Sequence, residues 1–302
     1  MVAMLARKLQ FATILLVLAA FLWFFYFWPT GPTWAVLGSL VIVFGFVPLL
    51  GLQFLTARHV NRKHSGAPLA RVPEFLRAWW KESLAAPKIF CWRLAFRSDQ
   101  VADSVDVAFA PTGVRGVVLI HGFICNRGLW TPWLTQLRER RHAFVAVNLE
   151  PVFASIDAYT AIVEEAVKKV TQATGLPPLL VCHSMGGLAA RAWLQSAPGN
   201  DARIHHVVTI GTPHHGTWIG MRRVPPNMKQ MKIGSDWLLQ LASREPPERY
   251  KLFTCFYSNC DNIVFPTMSA TLPGADNRHV AGDPHVVMVF NQSVMNASLA
   301  KL

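Results

Sequence analysis

Between Leu9 and Ala57 the sequence has no Asp, Glu, Lys, Arg or His. Over all 302 residues charged side chains amount to only 15%, and acidic ones are the scarcer kind, 17 Asp and Glu against 29 Lys and Arg. Hydrophobic residues reach 52%. This shortage of charge excludes an ordinary soluble composition and places part of the chain in lipid. A charge at the bilayer centre costs roughly 2.5–3.5 kcal/mol, so a charge-free run is what a membrane segment should show. Cysteine is also sparse: five residues, an odd number, with no C-x-x-C pair and no Cys/His ligand spacing. That argues against a disulfide framework and gives no metal site, and reduced thiols fit a cytoplasmic domain. Internal repeats and low-complexity tracts are missing, which excludes a repeat array. The net charge of +12 is spread along the chain and forms no basic arm. No nucleic-acid partner is implied; anionic headgroups are the simpler partner for it.

The charge-free run divides at Pro29–Thr33, "PTGPT", whose prolines and glycine suit a tight turn. On either side, residues 9–28 and 34–55 each reach the ~20 apolar residues that a membrane helix needs. Trp23, Tyr26, Trp28 and Trp34 gather near the turn, as aromatic residues do at a headgroup level. Arg7 and Lys8 precede the first run, and Arg58, Arg62 and Lys63 follow the second. The reading is a membrane hairpin with both flanks inside by the positive-inside rule. The expectation is a two-pass protein of a bacterial inner membrane with the remaining residues, 65–302, in the cytoplasm. A secretory signal is the competing reading. Its apolar region usually runs about 7–15 residues to a small-residue cleavage site, unlike "FFYFWP" followed by a second apolar run. Segment 71–97 mixes Trp79, Trp80, Phe90 and Trp92 with Arg71, Arg77, Lys81, Lys88 and Arg93. Two readings stay open for it: a helix on the membrane surface, or a helix packed on the domain that follows.

Beyond residue 115 strand and helix patterns alternate. Residues 116–123, 143–151, 177–183, 204–213 and 251–258 are short apolar runs typical of buried strands. Residues 131–141, 155–175 and 185–197 have helical spacing. The alternation predicts an α/β fold: a mostly parallel sheet with helices on both faces.

Ser184 ends the strand run "PPLLVCH" and opens the helix "MGGLAARAW". The position suits a nucleophile on a tight strand-to-helix turn, with Gly186 and Gly187 supplying small residues. It suits a plain helix N-cap equally well. Where G-x-S-x-G has its first glycine this chain has Cys182, which is small but a departure.

The order of "HGF" (His121–Phe123), "CHSMGG" and "IGTPHHGT" (Ile210–Thr217) on these elements resembles the α/β-hydrolase superfamily, and within it the lipase and esterase branch. The resemblance runs from about Val114 to the C-terminus. It implies an ester hydrolase with Ser184 as nucleophile and the backbone N–H groups of Phe123 and Met185 as oxyanion donors, needing no cofactor and no metal. His121 would hold its loop, and His214 and His215 would shape the pocket wall. The family order of Ser, acid, His points to Asp261, ahead of Asp236 and Asp283, and to His285 in "GDPHVVMVFNQSV". His279, in the last strand pattern "NRHVAG", is the reserve base. Residues 217–250, rich in Trp, Met, Leu and basic side chains, would cap the pocket and favour a lipid-like or other small-molecule ester. Acyl transfer or amide hydrolysis would use the same residues. The third alternative is an inactive hydrolase fold that only binds; an intact Ser–Asp–His set argues against it.

Overall fold

The computed structural model describes residues 4–64, 66–106, 111, 113–220 and 223–302; residues 221–222 of the expected cap lie outside these. The six strands it contains are β1 (Val117–Ile120), β2 (Phe144–Ala146), β3 (Leu179–His183), β4 (His206–Ile210), β5 (Phe253–Tyr257) and β6 (Asp276–His279). They form one sheet, parallel throughout, in the order β2-β1-β3-β4-β5-β6. The central strands are apolar on both faces because helices cover both. Alternation along β1 sends Val118 and Ile120 into one core and Val117 and Leu119 into the other.

Ten helices flank or precede the sheet here: α1 (Met4–Phe27), α2 (Pro32–Phe44), α3 (Phe46–Lys63), α4 (Val72–Ala86), α5 (Leu94–Phe96), α6 (Thr131–Glu139), α7 (Thr160–Thr174), α8 (Met185–Ser196), α9 (Pro226–Gln230) and α10 (Asp236–Arg244). An eleventh, α11 (Gln292–Leu299), closes the chain. Helix α7 buries Val163, Val167 and Val170, one stripe at helical spacing, and stops where Gly175 takes φ 73°. Helices α7 and α8 pack on one face of the sheet, α6 and α11 on the other. Chain order reverses direction around β1, which has β2 on one side and β3 on the other. In open parallel sheets the crevice beyond the strand ends at such a reversal is where ligands bind.

The N-terminal helices differ from expectation in one respect. Helix α1 is apolar and long enough to cross a membrane, about 36 Å at roughly 1.5 Å per residue. The second span, expected as one helix over 34–55, is broken: α2 and α3 meet at Gly45 with a 44° bend. Pro48 is the physical cause. It has no N–H to offer the Phe44 carbonyl four residues back, and its ring crowds that carbonyl. Only one clear apolar span therefore stands where two were expected. The helices also reach the rest of the molecule. The Leu5 N–H donates to Glu150 Oε1 at 3.2 Å, and Gln10 Nε2 to the Ala95 carbonyl at 2.7 Å. At the other end Arg58 Nη1 donates to the Ala70 carbonyl, and the Thr267 N–H donates to Asn61 Oδ1 at 2.9 Å. Both ends of the segment are thus fastened to the same body, and the Pro29–Thr33 turn lies at the far end.

Segment 71–97 packs on the body by one helix face. Helix α4 buries Ala78 and Glu82 against the body, while Val72, Leu76, Trp80 and Leu84 form an exposed apolar stripe at four-residue spacing.

Candidate active site

Ser184 follows β3 directly, and its N–H continues the ladder by donating to the Ile210 carbonyl at 2.9 Å. Its backbone then turns sharply, with φ 53° and ψ −126°. A β-carbon residue pays strain for such a conformation, and it persists only where the surroundings fix it. Here they do. A Cβ at Gly186 would strike the Ile120 carbonyl, and one at Gly187 the Thr212 side chain, so β1 and the loop after β4 press against the turn. Thr212 Oγ1 also donates to the Ser184 carbonyl at 2.9 Å. The Ser184 side chain makes no capping hydrogen bond, although the residue sits at the N-cap position of α8. Cys182 fits without clash: it is fully buried in register between Ile120 and Thr209.

Asp261 and His285 stand together. His285 Nδ1 donates to Asp261 Oδ2 at 2.9 Å. The other carboxylate oxygen accepts from the Ile263 and Val264 N–H groups at 2.8 and 2.7 Å, which orients the acid. Burial disfavours the His285 imidazolium, but the Asp261 charge and hydrogen bond, aided by Glu82, outweigh it and hold this pKa above the ordinary histidine value. With Nδ1 committed to Asp261, Nε2 is the nitrogen left for proton transfer. The His183 ring lies 4.7 Å from that of His285. The rivals are elsewhere. His279 ends β6 beside Tyr257. Asp236 is exposed at the start of α10, and Asp283 pairs with Lys81 at 2.8 Å.

His121 is buried and bonded at both nitrogens, to the Gly122 carbonyl at 2.8 Å and the Leu149 N–H at 3.0 Å. Since Nε2 accepts, Nδ1 carries the proton. Burial pushes this histidine down to about 4, so it stays neutral and holds the loop after β1. Phe123, two residues on, faces the cavity in front of Ser184. Met185 opens α8, where backbone N–H groups lack helical partners. The expectation for His214 and His215 is corrected: the wall there is Pro213 and Thr217. His214 is drawn into the core, its Nε2 3.0 Å from Thr209 Oγ1 and its carbonyl bound by Arg191. Arg191 in turn pairs with the fully buried Glu245 after α10, which locks the 217–250 insert onto α8.

Two polar residues beside the site were not foreseen. Glu82 of α4 accepts from the Val286 and Val287 N–H groups just after His285, at 3.2 and 3.4 Å. Burial pushes its carboxyl up to about 7, against the pull of the His285 charge and those two N–H groups. Gln53 of α3 accepts from Asn262 Nδ2 at 3.1 Å, and Asn262 Oδ1 accepts the His285 N–H at 3.2 Å. The available signals were slight: one of two Glu amid basic and aromatic residues, and the one polar residue between Phe46 and Leu55.

Ser184 lines a cavity of about 550 Å³. Its walls are mostly apolar: Phe123, Met228, Met231, Ile263 and Val264 from the body, and Leu49 and Leu52 from α3. Among the described residues no cluster of His, Cys, Asp and Glu could hold a metal ion.

The model of the Alpha/beta hydrolase family matches residues 117–293. No curated protein matches the chain significantly. Solved structures share the fold at low identity. A mature Bacillus licheniformis lipase, BlEst2, aligns with TM-score 0.55 and 16% identity over 63% of this chain and 93% of its own. Its propeptide form gives 0.54 and 17% over 66% and 53%. Aspergillus fumigatus lipase B gives 0.53 and 17% over 62% of this chain, which spans about half of that lipase, 52%.

Proposed function

Because the chain belongs to the alpha/beta hydrolase family, we propose that it is a serine hydrolase of carboxylic esters, held at a membrane by its N-terminal helices. The observation that carries the reading is the Ser184 turn. A strained serine whose hydroxyl takes no part in capping its helix has no structural use for that conformation. In the proposed reaction His285 Nε2 takes the Ser184 proton as Oγ attacks the ester carbonyl. Asp261 holds the imidazole in its Nδ1–H tautomer and stabilises the imidazolium. Charge on the carbonyl oxygen is met by the N–H groups of Phe123 and Met185, a kind of contact that typically contributes about 2.7–4 kcal/mol per donor. The imidazolium protonates the leaving alcohol, and water then releases the acyl group by the same steps.

The apolar cavity and the lipases that share this fold support a lipid-like ester. The basic flanks support a two-pass arrangement with residues 65–302 on the cytoplasmic side of a bacterial inner membrane. In it α1 crosses, and α2 with the first turns of α3 returns. A fluorophosphonate probe tests the chemistry: the labelled peptide should contain Ser184, and Ser184→Ala should not label. Labelling of another residue, or none in the intact chain, would refute the assignment. A reporter active only in the periplasm tests the topology. Fused after residue 64 it should be silent, and fused within 29–33 bright.

A further inference from the structure

Helix α3 is more than a returning anchor, because it forms part of the cavity. Leu49, Leu52, Gln53 and Thr56 line it on one side, opposite the catalytic body. Their spacing is that of one helix face. The helix is fixed in this place by contacts of its own: Phe54 is buried against Phe75, Trp79 and Cys260, and Ala57 on the same helix is buried too. Trp79 Nε1 donates to the Val47 carbonyl at 2.9 Å, and Gln53 joins Asn262 beside the Asp261–His285 pair. The same cavity is open along its apolar edge. Leu49, Leu52 and Trp218 line it yet remain 69%, 62% and 50% exposed. The apolar faces of α1 and α2 continue this edge along the chain, and α4 adds the exposed stripe Val72, Leu76, Trp80 and Leu84. Arg71, Arg77 and Lys81 accompany that stripe, the composition of a helix at an anionic headgroup layer. An exposed apolar rim of this kind marks a site of lipid or protein contact. Continuity with a helix long enough to cross a bilayer selects lipid.

We propose that α3 is the acyl-chain wall of the site, and that the long chain of a membrane-resident ester passes from the bilayer between Leu49, Leu52 and Trp218 to reach Ser184. The inference rests on the ester-hydrolase reading and adds to it the side from which substrate arrives and the residues that select chain length. The test uses the full chain in nanodiscs of equal parts phosphatidylcholine and phosphatidylglycerol, with p-nitrophenyl butyrate and p-nitrophenyl palmitate as substrates. Leu52→Trp fills the passage, and the palmitate-to-butyrate ratio of kcat/KM should fall at least about tenfold, the lower end of what a pocket does with a misfit apolar group. Leu49→Ala, a change at a largely exposed position that the fold tolerates, should lower the ratio in the same direction by less. Leu15→Trp on the lipid face of α1 serves as control and should leave both rates unchanged. Fluorophosphonate labelling of each variant reports an intact site. Should the unmodified chain neither label nor turn over butyrate, the hydrolase reading itself fails. Normal labelling with an unchanged ratio in both α3 variants, or equal loss on both esters, overturns the wall and leaves the hydrolase reading standing.

Discussion

Residues 4–63 and the sheet-bearing body contain similar kinds of apolar side chain and use them in opposite ways. In the body Leu, Val and Trp are enclosed: Trp130, Trp133 and Trp193 are fully buried, each between helix and sheet. In α1 Phe11, Leu15, Phe21 and Phe25 are large apolar side chains that remain more than half exposed. The difference teaches that hydrophobicity alone does not locate a core. Helix α3 sits between the two regimes. Phe54 and Ala57 are buried against the body, while Leu49 and Leu52, one turn or so earlier, face the cavity and the outside.

The largest effect expected belongs wholly to the body. Ser184→Ala should abolish turnover of a short p-nitrophenyl ester, and Asp261→Asn should remove most of it, since losing one member of such a set usually leaves only a residual roughly 10³–10⁴-fold over water. Both variants should keep the far-UV circular dichroism of the parent; retained turnover in Ser184→Ala would end the assignment. Next come changes where burial is complete in either region. Glu245→Ala strands the Arg191 guanidinium in the interior and should cost about 3–5 kcal/mol. Phe54→Ala opens the α3–α4 seam and should cost about as much, roughly 3–5 kcal/mol. Denaturant unfolding in detergent measures both. If Phe54→Ala proved neutral, α3 would not be packed on the body as described.

A smaller effect concerns pH. If His285 is the base it must be neutral, and Asp261 beside it holds its pKa above the ordinary value, so kcat/KM should fall as pH drops through a midpoint above about 6.5. Ionised Glu82 favours the imidazolium, so Glu82→Gln should move that acid limb to lower pH. A limb that stays in place, or moves up, would separate Glu82 from the titration. The smallest effect is expected on the exposed face of α1: Leu18→Ala should change unfolding stability by no more than about 0.5 kcal/mol.

Much of the body was legible in the sequence because local pattern and tertiary fold agree there. The runs read as strands at 116–123, 177–183 and 204–213 lie in adjacent register, and Ser184 falls where strand passes to helix. Asp261 and His285, chosen by family order, are in hydrogen-bond contact. Composition could not show that α3 would bend away from α2 and line a cavity. A leucine facing lipid and a leucine facing an acyl chain satisfy the same condition, and only the three-dimensional position of Leu52 separates them. The bend at Gly45 was in principle readable from Pro48, but hydropathy passes over it. Glu82 was hidden because its partners, the N–H groups of Val286 and Val287, lie some two hundred residues away and carry no side-chain signature.

The buried cysteines alter one step of the topological argument. Burial pushes the thiols of Cys125, Cys255 and Cys260 up to about 12, and that of Cys182 higher still. Exchange and oxidation proceed through the thiolate, which at neutral pH is a vanishing fraction of such groups. These four sulfurs would stay unreactive whether the surroundings were reducing or oxidising. These four cysteines therefore carry no record of the compartment that holds the body, and for the proposed two-pass arrangement that question falls to the basic flanks and to the fastening of α1 and α3 on one body.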